Sequence, residues 1–162
     1  MLMVREARLE DLDHLVDLDH EVFPALAYPG LVLRQFLDFA GPLLMVGCTK
    51  RGAMVAFSIV VPSSVSGEGW FLALGVREAD RRLGYGRTMA VSALRRSEEL
   101  GIRSIRLTVD PNNVAAISLY THIGFKFDQI WDSYFAPNEP RIVMRRDGEQ
   151  PAALEDRSHR TS

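Results

Sequence analysis

The segment Val76-Arg77-Glu78-Ala79-Asp80-Arg81-Arg82-Leu83-Gly84-Tyr85-Gly86 constrains the chain more than any other. Before it lies an apolar run, Trp70 to Val76, the pattern of a central strand buried on both faces. After it, Gly84 to Leu100 reads as a helix that Gly101 stops. A strand turning into a helix through paired glycines lets a ligand approach the backbone closely. The free N–H groups and partial positive charge of the helix start suit a phosphate or pyrophosphate. Arg81, Arg82 and Arg87 are placed to add charge-assisted contacts. Two phosphate motifs are excluded. A P-loop needs Lys before its Ser or Thr, and Gly86 is followed by Arg87-Thr88. A dinucleotide fingerprint needs a third glycine where Met89 stands.

The rest of the chain fits around that junction. Leu2 to Ala7 reads as a first strand, and Leu9 to Val22 as an amphipathic helix ended by Phe23-Pro24. Leu31 to Ala40 is a second helix, stopped by Gly41-Pro42. Leu43 to Thr49 and Ala53 to Val61 form a hairpin over Lys50-Arg51-Gly52. Ile102 to Val109 is a strand and Asn113 to Ile123 a short helix stopped by Gly124. Phe125 to Phe135 and Arg141 to Met144 complete the sheet. The order β-α-α-β-β-β-α-β-α-β-β gives a mixed sheet of about seven strands with helices on it, an α/β (α+β) fold. Residues 1–146 are expected to form one domain. The polar, aperiodic residues 147–162 read as a disordered tail.

A second constellation follows about thirty residues after the glycine turn. Asn113, Ala116 and Tyr120 share one helical face, which mixes an amide, a small residue and a phenol where a core face would be aliphatic. A buried core tyrosine is the plainer reading of Tyr120 taken alone.

Composition removes several function classes. The formal net charge of -2 argues against broad nucleic-acid binding. Arg95 and Arg96 read as a solvated helix face. Cys48 is the sole cysteine, so no internal disulfide forms, and its apolar surroundings mark a core residue. No His/Cys cluster has metal-ligand spacing. His14 and His122 read as surface residues. No run reaches membrane-spanning length, and no signal peptide is recognisable at the N-terminus. A cytoplasmic monomer or homodimer, without membrane or nucleic-acid partners, is expected.

Together, Arg81-x-x-Gly84-x-Gly86 and Asn113-x-x-Ala116-x-x-x-Tyr120-x-x-x-Gly124-Phe125 resemble the two signature motifs of the GNAT acetyltransferases. The resemblance covers the chain up to about Met144. It implies a sheet splayed between the fourth and fifth strands, with acetyl-CoA as cosubstrate in the cleft. It implies that main-chain groups of Leu74, Gly75 and Val76 hold the pantetheine. The stretch Arg81, Arg82, Leu83, Gly84, Tyr85, Gly86 and Arg87 would hold the pyrophosphate, and Asn113 would face the cofactor. Tyr120 would protonate the departing thiolate after direct attack by an amine, with a main-chain N–H near Val76 stabilising the oxyanion.

The general base is left open. The position where relatives carry Glu or His on the fifth strand is Thr108, and Trp70 stands on the fourth. The nearest carboxylates are Glu68 and Asp110, either of which also reads as a loop residue. Deprotonating a lysine at pH 7 costs roughly 4–5 kcal/mol, an α-amine only about 1, so a site without a base suits the α-amine. Phe23-Pro24-Ala25-Leu26-Ala27-Tyr28 resembles the acceptor loop of the protein N-terminal acetyltransferases, and Asp132-Ser133-Tyr134-Phe135 their last hairpin. Phe23, Pro24, Tyr28 and Tyr134 are therefore the expected acceptor contacts, although Phe23 and Tyr28 equally suit a hydrophobic corner between helices. Three readings stand: a peptide α-amine acetyltransferase, a small-amine acetyltransferase, and a non-catalytic acyl-CoA-binding module.

Overall fold

The computed structural model describes residues 1–148. Seven strands form one mixed sheet, in the spatial order β1-β2-β3-β4-β5-β7-β6. They are β1 (Met3–Glu6), β2 (Leu44–Cys48), β3 (Met54–Pro62), β4 (Glu68–Val76), β5 (Ser104–Val109), β6 (Lys126–Trp131) and β7 (Arg141–Asp147). Helices α1 (Leu12–Val22) and α2 (Gly30–Phe39) come early, α3 (Tyr85–Glu99) and α4 (Val114–His122) late. All pairings are antiparallel except β4 with β5. Among the described residues, no helix is long and apolar enough to cross a membrane.

The core lies between the sheet and its helices. On β3, Phe57 and Ala56 point to opposite faces, as alternation requires. Phe57, fully buried, packs edge-to-face on Phe23 at the end of α1, with ring centroids 6.2 Å apart. Met89, Ala90, Ala93 and Leu94 supply the buried stripe of α3, which packs on β2, β3 and β4. Cys48 is a buried free thiol in this core.

The decisive feature is the parting of β4 from β5. Their ladder runs from Glu68↔Ser104 only to Phe71↔Leu107. At the next residue β4 bulges: Val60 pairs with Phe71 and Ile59 with Ala73, which leaves Leu72 without a partner on β3. A bulge bends and twists its strand, and from Leu72 to Val76 β4 has no β5 partner. Meanwhile Thr108 and Val109 stay paired with Val143 and Ile142 of β7. The sheet therefore opens as a wedge at the ends of β4 and β5.

Several boundaries differ from the sequence reading. The first helix is split, with Leu9–Asp11 forming a 3-10 turn before α1. Asp11 holds this corner: it accepts both guanidinium N–H groups of Arg5 (2.6 and 2.8 Å) and the Arg8 backbone N–H (2.7 Å). The strand expected over 125–135 stops at Trp131, because Asp132 to Pro140 turns back on itself through Tyr134 N–H to Glu139. The last strand continues beyond Met144 to Asp147, so the tail cannot start there. Arg146 anchors the extension by an ion pair with Glu98 (2.8 Å) and a bond to the Ile123 carbonyl. The remainder of the expected tail lies outside the described residues. β4 is buried on one face only, at Gly69, Phe71, Ala73 and Gly75; its other face is half-exposed and Leu72 is open, since no layer fills the wedge.

Candidate active site

A cleft of about 230 Å³ occupies the wedge. One wall is β4 with Phe71, Leu72, Ala73 and Leu74. The floor is the end of β5 with Thr108, Val109 and Asp110. Asn113, Ala116 and Tyr120 of α4 form the second wall. At the other end stand Phe23, Leu26 and Tyr28 from the α1–α2 loop, with Phe135 and Arg141 from the hairpin of β6 and β7. The fold thus brings together Leu74, Asn113, Tyr120, Phe23 and Tyr28 of the expected site. Pro24 and Tyr134 do not line the cleft. Tyr134 instead stacks between Trp131 (5.1 Å) and Phe135 (4.7 Å), and so supports the wall from behind.

Tyr120 lies among Phe71 and Phe125, at ring centroids 6.3 and 5.7 Å. Burial pushes its phenol up to about 12, because the charged form is poorly solvated there. The hydroxyl is a neutral donor at any physiological pH. Asn113 caps α4: its side-chain oxygen accepts the Ala116 N–H (3.1 Å). Its carbonyl is therefore spoken for, and the amide nitrogen is what remains for a ligand.

The glycine turn lies at the open end of β4. A 3-10 turn, Glu78–Asp80, is closed by the ion pair of Arg77 with Asp80 (2.6 Å). Arg81 folds back so that its Nε donates to the Val76 carbonyl (3.2 Å). Arg82 takes a left-handed conformation (φ 64°) and Gly84 another (φ 77°), which aims the first turn of α3 along the strand end. Among the described residues no side chain caps α3, so the N–H groups of its first turn are left without a capping acceptor there. Arg82 and Arg87 form no ion pair among the described residues. A Cβ at Gly86 would meet only Leu119 at 3.6 Å and Val76 at 3.7 Å, ordinary contacts. Packing does not require glycine there, whereas a ligand lying on the backbone would. Gly75 is the opposite case. Its Cβ would fall within 3.0 Å of two Phe57 ring atoms and closer still to a third. Its glycine makes room for the ring that carries Phe23.

The α1–α2 loop is held by a buried carboxylate. Asp19 of α1, fully buried, accepts the Tyr28 backbone N–H (2.6 Å), and its other oxygen has no hydrogen-bond partner among the described residues. Burial pushes the Asp19 carboxyl up despite that bond. Tyr28 packs edge-on against Phe36 (5.3 Å); burial first, then the neighbouring Asp19 and Tyr134, pushes its phenol up as well.

Of the candidate bases, Glu68 stands at the closed end of β4, 3.4 Å from Arg106 and away from the cleft. Trp70 also belongs to the closed half, opposite Val61 and Arg106. Thr108 and Asp110 do line the cleft, and Asp110 accepts the Asn112 N–H (2.8 Å). The sequence reading passed over Arg141 and Leu72, and quoted Phe135 in the hairpin without placing it in the site. Arg141 had a readable signal: it opens a strand that runs antiparallel to β5, and so returns to the level of Asp110.

Residues 9–125 match the acetyltransferase (GNAT) family. The chain belongs to the GNAT acetyltransferases. Acetyl-CoA is the cosubstrate of that family. Among its relatives, the mycothiol acetyltransferase of Renibacterium salmoninarum is 30% identical over 97 residues, 59% of this chain and 29% of that protein. The [ribosomal protein bS18]-alanine N-acetyltransferase of Escherichia coli is 30% identical over 99 residues, 59% of this chain and 66% of that one. The chain thus matches less than two thirds of the length of either. The crystal structure of Ard1 from Thermoplasma volcanium superposes with a TM-score of 0.82 at 22% identity, over 92% of this chain and 99% of that one. This likeness shows that the whole GNAT fold is present.

Proposed function

We propose that this protein transfers acetyl from acetyl-CoA to the α-amine of a peptide or protein N-terminus. The observation that carries the reading is the wedge itself. A neutral phenol stands on one wall and an apolar loop on the other, and among the described residues the one carboxylate in the lining, Asp110, is exposed and accepts the Asn112 N–H, an arrangement that suits an α-amine better than a lysine.

The residues present fit acetyl-CoA. The uncapped first turn of α3, the open face of Gly86, and Arg82 and Arg87 would hold the pyrophosphate. Main-chain groups of Leu74, Gly75 and Val76, in the stretch of β4 that has no β5 partner, would hold the pantetheine arm. When bound, acetyl-CoA supplies a thioester carbonyl as the acyl donor. Phe23, Leu26 and Tyr28 exclude water and align the amine, so positioning contributes most of the rate. A main-chain N–H near Val76 stabilises the oxyanion. Tyr120 donates its proton to the departing thiolate. An ordinary thiol titrates near 8.5, so full transfer from a phenol near 12 is uphill by about 5 kcal/mol. Tyr120 therefore needs its proton returned in step, and the proton lost by the attacking amine, passed by water at Thr108, closes the balance. A cytoplasmic setting suits such an acceptor.

A small amine is the second reading, favoured by the match to a relative named for mycothiol. The test is CoA release with peptides bearing free N-termini, the same peptides acetylated at the α-amine, and a panel of small amines. Turnover on free peptides alone supports the proposal, and turnover on small amines alone replaces it. Tyr120→Phe is expected to lower kcat by about a hundredfold or more. An unchanged kcat removes Tyr120 from the reaction.

A further inference from the structure

Arg141 is the guanidinium that the reaction described above leaves unused. It opens β7, shares the acceptor end of the cleft with Phe23, Leu26, Tyr28 and Phe135, and is half-buried. Its guanidinium carbon sits 4.9 Å from the centroid of the Phe135 ring. That contact holds the group in place and uses its charge, without taking up a hydrogen-bond donor. Among the described residues, no guanidinium N–H of Arg141 has a protein acceptor and no carboxylate lies within 4 Å of the group.

The surrounding charges make that isolation informative. Asp110 is the nearest acid by register, one step beyond the Val109↔Ile142 pair, yet it turns to the Asn112 N–H. Neighbouring arginines on the same strand do find acids: Arg145 pairs with Asp147 (2.9 Å) and Arg146 with Glu98 (2.8 Å). The phosphates of the cosubstrate have their own cations at Arg82 and Arg87, beside the end of β4 and across β5 from β7. The guanidinium fork has five donors matched to a planar carboxylate.

We infer that Arg141 selects acceptors that carry a carboxylate close to the reacting amine. The inference rests on the acetyltransferase reading above and names the substrate class of the same site. Two sources offer that chemistry: an acidic residue beside a peptide's N-terminus, or the α-carboxylate of a free amino acid.

Matched pairs separate them. One arm compares Ala-Glu-Ala-Ala with Ala-Gln-Ala-Ala, both C-terminally amidated. The other compares alanine with alaninamide. The wild-type protein is expected to favour the carboxylate member of one arm by about tenfold in kcat/KM. Arg141→Gln brings that ratio to near unity, Arg141→Lys keeps part of it, and thermal melts confirm that the variants are folded. A wild-type ratio at or below unity in both arms overturns the inference, as does a ratio that survives Arg141→Gln. Absence of turnover in every arm counts against the acetyltransferase reading alone. The same pairs are then titrated calorimetrically into the CoA-saturated protein, where equal affinities overturn the role of Arg141.

Discussion

Replacing Gly75 by alanine tests the link between β4 and the α1–α2 loop. The added methyl would fall on the Phe57 ring, 3.0 Å from two of its carbons and nearer to a third. Phe57 is fully buried and cannot swing into solvent. The clash must be relieved by moving the ring, the strand or both, and overpacking of this kind costs about 1–3 kcal/mol. For a chain of this size each kcal/mol lowers Tm by about 2–4 °C. The displaced ring also pushes Phe23, its edge-to-face partner at 6.2 Å. Denaturant melts of the wild type, Gly75→Ala, Phe57→Leu and the double variant form a cycle. Phe57→Leu alone should destabilise by leaving a void, and the double variant should be more stable than the sum of the singles predicts. Steady-state kinetics should show a raised KM for the acceptor. If Gly75→Ala melts with the wild type, or if the two changes are additive, the ring does not depend on the missing Cβ and the reasoning fails.

Gly86→Ala should behave oppositely: a Cβ fits the protein, so stability holds or rises by up to about 1 kcal/mol while KM for acetyl-CoA increases, and a loss of stability would contradict this. Asp11→Asn should cost about 1–2 kcal/mol at pH 7, kept modest because the Arg5 side chain is 40% exposed. The Arg5 guanidinium holds the Asp11 carboxyl below its ordinary range, so the wild-type advantage is complete above pH 4, fades as the pH falls, and shows in urea melts across that window. Asp19→Ala should lose about 1–3 kcal/mol by stranding the Tyr28 N–H. Asp19→Asn keeps an acceptor and removes a buried charge, so it should match or exceed the wild type at pH 7. That gain should shrink as the pH falls through the raised Asp19 titration, and a pH-independent difference would count against it.

Much of the strand and helix pattern was legible because apolar periodicity survives, from Leu15 and Leu18 of α1 to the alternation of Ile105, Leu107 and Val109 on β5. The two motifs were legible because Gly84, Gly86 and Tyr120 answer to chemistry that few other residues satisfy. What failed were features set by distant partners. Asp147 looks like the start of a tail until Arg145 is seen to pair with it and Arg146 to bond Glu98 and the Ile123 carbonyl. Tyr134 and Phe135 look like strand residues, but they stack on each other within a turn. The bulge at Leu72 has no local signature, since only the register of β3 against β4 reveals the extra residue. Arg141 was passed over although its place at the start of a strand antiparallel to β5 was readable; what marks it out is that its guanidinium has no acceptor among the described residues.

The parting at Leu72 places a strand edge inside the sheet instead of at its rim. From Leu72 to Val76 the side of β4 that faces β5 offers the same open ladder that makes exposed edges prone to capture other chains. Its hydrogen-bonding groups must be satisfied by water or by a ligand. A pantetheine arm laid along it would complete the sheet as an added strand does. On the proposed binding mode, the cosubstrate is then also a structural member. The protein's tendency to self-associate, and its resistance to heat, should both follow the occupancy of that gap.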